Sequence, residues 1–268
     1  MFGLLKMSSS TRSSCAVLGT IVSTVTGMLI LGFAGGASAA SYGTFVDPTG
    51  TVSYENVQDV SGLFGAPTVS LNSLDFTPTN FEALCSVCGP SGATTTDILT
   101  LDIQAISGQQ ISVLSVNEGL DYILQSFTGG GFASVLVTAS LFIDITEING
   151  LSVNNINSSV AISYTPSNNV SVFGTGIDTG ILLGTTGAID IQSIIAAAGA
   201  TGEATRVSIS LDNTLSAFHD GAGQALIRKR DTDFLSVTIN GGNPVPEPST
   251  ALLLMGGLAA LVHRSRKA

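Results

Sequence analysis

Ile98-Leu99-Thr100-Leu101-Asp102-Ile103-Gln104-Ala105-Ile106 is the stretch that decides the fold. Leu99, Leu101, Ile103 and Ala105 fall on one side of an extended chain, and Thr100, Asp102 and Gln104 on the other. That period of two belongs to a half-buried β-strand. Ser107-Gly108 then turns the chain, and the pattern resumes over residues 111–116. Residues 134–148 form a long run rich in Val, Leu and Ile that meets Asn149-Gly150, a dipeptide suited to a type I′ hairpin. Further strands are expected at 160–164, 170–173, 206–211, 225–230 and 234–239. Residues 189–198 read as one short helix, with Gly199 as its stop. Many short strands separated by turn signals predict an all-β, antiparallel β-sandwich-like domain. A right-handed β-helix is the rival architecture, and no fixed-length repeat supports it.

Composition agrees with that expectation. Of the 268 residues, 44% are apolar and only 10% charged, with 31 glycines and no tryptophan, a mixture that favours strands and turns over long helices. The formal net charge is −10, but its distribution is more informative. Lys6, Arg12, Arg264, Arg266 and Lys267 lie in the terminal segments, whereas every acidic residue lies between them. The middle carries Arg206, Arg228, Lys229 and Arg230 against 19 carboxylates. Such a surface repels phosphates and excludes nucleic acid as a partner. It suits a soluble secreted body, or one that recruits divalent cations.

The two ends read as addresses. Lys6 and Arg12 precede an apolar stretch over residues 16–33, and Ala37-Ser38-Ala39 supplies an A-x-A cleavage site before Ala40. Residues 1–39 are therefore expected to be a signal peptide with a helical apolar region, removed on export. At the other end, Pro244, Pro246 and Pro248 prevent a helix or interior strand. An uncharged apolar segment of 13 residues, 250–262, follows, and Arg264, Arg266 and Lys267 close the chain. At ~1.5 Å per residue a helix there covers about 20 Å against a ~30 Å hydrocarbon core, so flanking residues must help it span. Its basic end is expected to stay cytoplasmic. Three parts follow: signal peptide 1–39, a β-rich extracellular domain 40–242 and a tail 243–268.

Pro246-Glu247-Pro248, the short apolar helix and the Arg-rich terminus together resemble the PEP-CTERM sorting signal of Gram-negative bacteria. The resemblance covers about the last 24 residues. It implies an exosortase, a membrane-embedded cysteine-protease-like transpeptidase, as processing partner. It also implies passage through the inner membrane to the cell surface or beyond. The class is associated with bacteria that make exopolysaccharide, so a matrix or biofilm role is what the resemblance implies. The same tail is carried by some ice-binding proteins. Residues 74–81, 118–122 and 225–230 also look like elements of other, uncharacterised PEP-CTERM proteins, which implies a shared β-rich body and points to no particular activity.

Candidate chemistry in the body is sparse. Cys85 and Cys88 are the only cysteines left once Cys15 departs with the signal peptide. In an oxidising envelope they are expected to form a local disulfide, with free thiols or a redox pair as the alternatives. His219 is the lone histidine outside the tail and reads as a solvated strand end beside Gly221. Glu118, Asp121, Asp144 and Glu147 could in principle serve glycoside hydrolysis, but the chain has no tryptophan and four tyrosines to build a sugar platform. Asp212-Asn213 and Asp231-Thr232-Asp233 could offer oxygens to calcium, although neither completes a loop motif. Side chains alternate along a strand, so Arg228 and Arg230 share a face that could touch an anionic polysaccharide, but Arg228-Lys229-Arg230 reads rather as a solvated edge that resists aggregation. Thr94-Thr95-Thr96 and Thr185-Thr186 are too few and irregular for an ice-binding face.

No catalytic residues, metal or cofactor are thus expected. The leading reading is a non-enzymatic surface or matrix protein, with exopolysaccharide as a partner. The alternative is a surface-displayed glycan-binding or calcium-dependent module, and a hydrolase comes third.

Overall fold

The computed structural model describes residues 39–86, 88, 91–106, 108–154 and 156–230, together with the backbone of 232–240. The chain is antiparallel and almost wholly β, with one short helix among the described residues. One layer is built from β1 (Ala40–Val46), β2 (Val52–Asp59), β6 (Ala93–Ala105), β15 (Ala204–Asp220) and β8 (Phe132–Ile148), paired in that order. β10 (Asn157–Ala161) and β12 (Asn169–Phe173) follow each other along the free edge of β8, and β9 (Leu151–Ser152) closes a hairpin on it.

The second layer is organised by β7 (Gln110–Ser126). Its first half pairs with β14 (Ile189–Asp190) and β17 (Thr232–Asn240), and its second half with β13 (Gly176–Thr185) and β16 (Gly223–Lys229). β5 (Glu82–Cys85) flanks β16, β11 (Ser163–Thr165) flanks β13, and β4 (Ser73–Phe76) joins β17 with β3 (Pro67–Ser70) beside it. Ala204 pairs with both Ile148 and Ile111, so the layers join at one end and the whole reads as a curled sheet.

The alternation in 98–106 is realised as expected. Leu99, Leu101, Ile103 and Ala105 are buried, while Thr100, Asp102 and Gln104 face outward. β8 and β15 carry the same pattern over 17 residues each. Asn149 and Gly150 adopt φ of 51° and 75°, as a type I′ turn requires. The helix α1 (Ile191–Ala197) is shorter than expected because Asp190 caps it, accepting from the amides of Gln192 and Ser193. Gly199 at φ 72° follows its end. The strand expected over 160–164 breaks at Ile162 into β10 and β11, which pair with different layers.

β13 is not among the strands expected from the sequence, and it carries Gly176, Gly180 and Gly184. A Cβ on Gly184 would meet the Tyr164 ring at 2.5 Å, and one on Gly180 the Tyr122 hydroxyl at 2.7 Å, so the glycines make room for inward-facing rings.

The expected signal helix and C-terminal hydrophobic helix lie outside the described residues, as do Ala37, the Pro246-Glu247-Pro248 motif and Arg264, Arg266 and Lys267. Ala39 precedes β1, which opens at Ala40. Among the described residues no helix is long and apolar enough to cross a membrane.

The β1–β2 turn is held by one carboxylate. Asp47, 3% exposed, accepts from the amides of Thr49 at 3.2 Å, Thr51 at 2.6 Å and Val52 at 2.9 Å. Burial opposes its ionisation, but the bonds from Thr49, Val52 and Thr51 outweigh that and hold its carboxyl below the ordinary aspartate value of 3.8. A depressed folded value means the stabilisation is present above the unfolded value and is lost as pH falls through the folded one. Asp47→Ala should therefore lower stability by about 2 kcal/mol at neutral pH. Urea denaturation in acid should show the gap narrowing, and a gap independent of pH would refute the assignment.

Candidate functional site

The outward face of the first layer forms an open groove of about 930 Å³. Strand register lays two polar rungs across it. Gln58, Thr100, Ser210, Phe142 and Ser159 are paired in succession from β2 through β6, β15 and β8 to β10. The next rung is Glu55, Asp102, Ser208, Asp144 and Asn157. Each strand contributes every second residue because its other parity is buried in the core.

Phe142 is 48% exposed and gives the groove an apolar face among hydroxyl and amide groups. Asn56 sits at the irregularity of β2 with φ 54°, and this local kink aims its Nδ2 at Asp102 Oδ2, 2.8 Å away. Arg206 closes one end, donating to Glu55 Oε2 at 2.9 Å and Asp102 Oδ2 at 3.1 Å. Desolvation raises the carboxyl of Asp102, yet bonds from Ser208, Asn56 and Arg206 prevail and keep it below the usual range. Past the groove the hydroxyl surface continues, with Thr96 and Thr214 Oγ1 atoms 3.0 Å apart and Thr94 and Ser216 3.3 Å apart.

A second polar cluster is enclosed between the layers. Glu118 of β7 accepts from Asn213 Nδ2 at 2.7 and 2.9 Å, from the Tyr164 hydroxyl at 2.9 Å, and pairs with Lys229 Nζ at 3.1 Å. The side chains of Lys229 and Glu118 are 2% and 1% exposed. Phe64 and Phe81 meet edge to face at 5.3 Å, and Lys229 Nζ lies 4.8 and 5.4 Å from their centroids. Burial drives the Lys229 ammonium below its ordinary value, with Glu118 opposing.

Several sequence expectations are corrected by this packing. Lys229 is in the core rather than on a solvated edge, because it continues the inward parity of Ala225 and Ile227. Arg228 and Arg230 do face out, both on Asp121. His219 is 6% exposed and not solvated, since it extends the inward row of β15. Asp212 and Asn213 point to opposite sides of β15, so they do not form a shared ion site. Glu118 is enclosed, whereas Asp144 lines the groove. Among the described residues no three His, Cys, Asp or Glu side chains gather as a metal site. Cys85 and Cys88 are bonded, with Cα atoms 5.1 Å apart.

The fold and groove together define an antiparallel β-rich body that offers an open, hydroxyl-lined surface. Residues 244–267 match the PEP-CTERM protein-sorting motif. The chain is therefore an exported, envelope-associated protein of the Gram-negative kind, handed to an exosortase for sorting.

Comparison with curated proteins returns no match. Among solved structures, TmCBM61 in complex with beta-1,4-galactotriose is 12% identical, with 67% of this chain and 92% of that chain covered and a TM-score of 0.20. A cellulase derived from Cel12A of Rhodothermus marinus is 14% identical over 76% of this chain and 100% of that one, also at 0.20. Tailspike protein 4 of bacteriophage CBA120 is 15% identical over 75% and 19%, at 0.18. At these scores the likenesses carry no argument.

Proposed function

We propose that the protein is a non-enzymatic component of the cell surface or extracellular matrix that holds exopolysaccharide in the groove of its first layer. The observation that carries this reading is the pair of in-register rungs, one of which sets the exposed face of Phe142 among hydroxyl and amide groups. A sugar ring offers both an apolar face and a rim of hydroxyls, and such a surface meets both needs. The groove is open along its length, which suits a polymer rather than a small enclosed substrate.

The non-enzymatic part is supported by the state of Asp102. Its oxygens are engaged by Arg206, Asn56 and Ser208, an arrangement that orders the groove wall instead of presenting a free acid or base. The acidic body favours a neutral or weakly charged polymer.

Ser210→Trp places a large ring in the middle of the rungs without touching the inward face. Retention on polysaccharide recovered from the expressing host should fall about tenfold, ~1.4 kcal/mol, with the fold unchanged by circular dichroism. Equal retention by the variant and the parent would remove the groove from consideration.

A further inference from the structure

The enclosed cluster brings together an amine, a carboxamide and a carboxylate in a compartment walled by aromatic rings. Lys229 Nζ and Asn213 Nδ2 lie 3.1 and 2.9 Å from the same oxygen, Glu118 Oε2. Lys229 and Glu118 belong to the second layer and Asn213 to the first. We infer that Lys229 and Asn213 become joined by an intramolecular isopeptide bond, Nζ to Cγ, which the folded protein forms itself with Glu118 as proton carrier. This inference is independent of the groove.

Each participant has a physical reason to act. Enclosure destabilises separated charge, so proton transfer from the Lys229 ammonium to Glu118 yields a neutral amine beside a neutral acid. A desolvated lysine is an activated nucleophile. Phe64 and Phe81 wall the ammonium, and the Tyr164 hydroxyl holds the carboxyl in place. Asn213 Oδ1 is buried and accepts no hydrogen bond. A half-turn of the amide exchanges Oδ1 with Nδ2 and sets that oxygen on the protonated Glu118. Fixing the reactants in one pocket removes the entropic cost of bringing them together.

The step balances without an oxidant or co-reactant. The Nζ lone pair attacks Cγ, and the carbonyl electrons move onto Oδ1, polarised by the acid. Glu118 then carries a proton from Nζ to Nδ2. The Cγ–Nδ2 bond breaks, the carbonyl re-forms, and nitrogen leaves as ammonia with the proton that Lys229 first carried. Glu118 returns to its carboxylate form. The product is a covalent strut between the layers, and it closes the loop between β15 and β16.

The test is the intact mass of the protein recovered after export, with both termini assigned, followed by fragment sequencing. Beyond the two hydrogens lost to the Cys85–Cys88 disulfide, the parent should weigh less than the sequence between its assigned ends by one ammonia, and one fragment should contain Lys229 and Asn213 joined. Lys229→Met, Asn213→Ala and Glu118→Gln should each show no deficit, and the parent should melt at a higher temperature than Lys229→Met. Lys229→Met removes the nucleophile while Tyr164 and Asn213 still donate to Glu118, so it remains informative even if the other two fold poorly. Ring closure at Asn149-Gly150 or Asn240-Gly241 also expels ammonia. Such an imide reopens in mild base and persists in Lys229→Met, whereas the isopeptide does neither. A folded parent at full sequence mass, or a deficit retained in Lys229→Met, overturns the inference.

Discussion

Glu118→Ala is expected to destabilise the protein by about 3–5 kcal/mol, because it strips the carboxylate from an ammonium that is itself 2% exposed. Asn213 Nδ2 and the Tyr164 hydroxyl lose their acceptor in the same step. Lys229 would keep the two ring faces and the more distant Asp97, neither of which replaces a carboxylate at hydrogen-bond distance. Since a domain holds only about 5–15 kcal/mol in total, this single change consumes a large share of it. The double variant Glu118→Leu, Lys229→Met leaves no bare charge, and it should recover most of the electrostatic part of the loss. Chemical denaturation of the parent, the single and the double variants reads both effects. A Glu118→Ala variant as stable as the parent would show that the enclosed pair is energetically idle.

The second large effect lies in the tail. Replacing Pro246, Glu247 and Pro248 together by alanine should abolish exosortase processing. Every molecule recovered from the envelope would then retain residues 251–268, whereas the parent should end between Pro246 and Thr250. The three changes remove two of the tail's prolines and its glutamate and leave the apolar stretch and the basic end intact. Intact mass by cell fraction decides the matter. Unchanged processing of the triple variant would move recognition away from the motif.

These two predictions draw on different kinds of legibility. The tail is readable because its message is carried by local chemistry: prolines that forbid regular structure, an uncharged run, and terminal cations. The β-rich body is readable for a similar reason, since period two over 98–106 and 134–148 needs no knowledge of a partner strand. The enclosed cluster was also signalled by parity, had the strands been followed to their ends. Asn213 and His219 continue the row Val207, Ile209 and Leu211. Glu118 sits in the row Leu114, Val116, Leu120 and Tyr122, and Lys229 in the row Ala225 and Ile227. A strand expected to stop at Leu211 hides both Asn213 and His219. Alternation places Arg228 and Arg230 on one face, whereas three adjacent cations suggest a solvated edge throughout; Lys229, between them, goes in.

The sequence by itself determined that the chain is exported and sorted, that its body is antiparallel β, and which parity of each recognised strand is apolar. Tertiary structure alone decided that Asn213 of one layer meets Glu118 and Lys229 of the other, that the glycines of β13 make way for Tyr122 and Tyr164, and that Thr100, Ser210 and Phe142 form one rung. The physical reason is that alternation is a property of a single chain, set by backbone geometry within a few residues. Register and layer assignment depend on which strands pair over separations of about a hundred residues, and that choice is made by packing across the whole core.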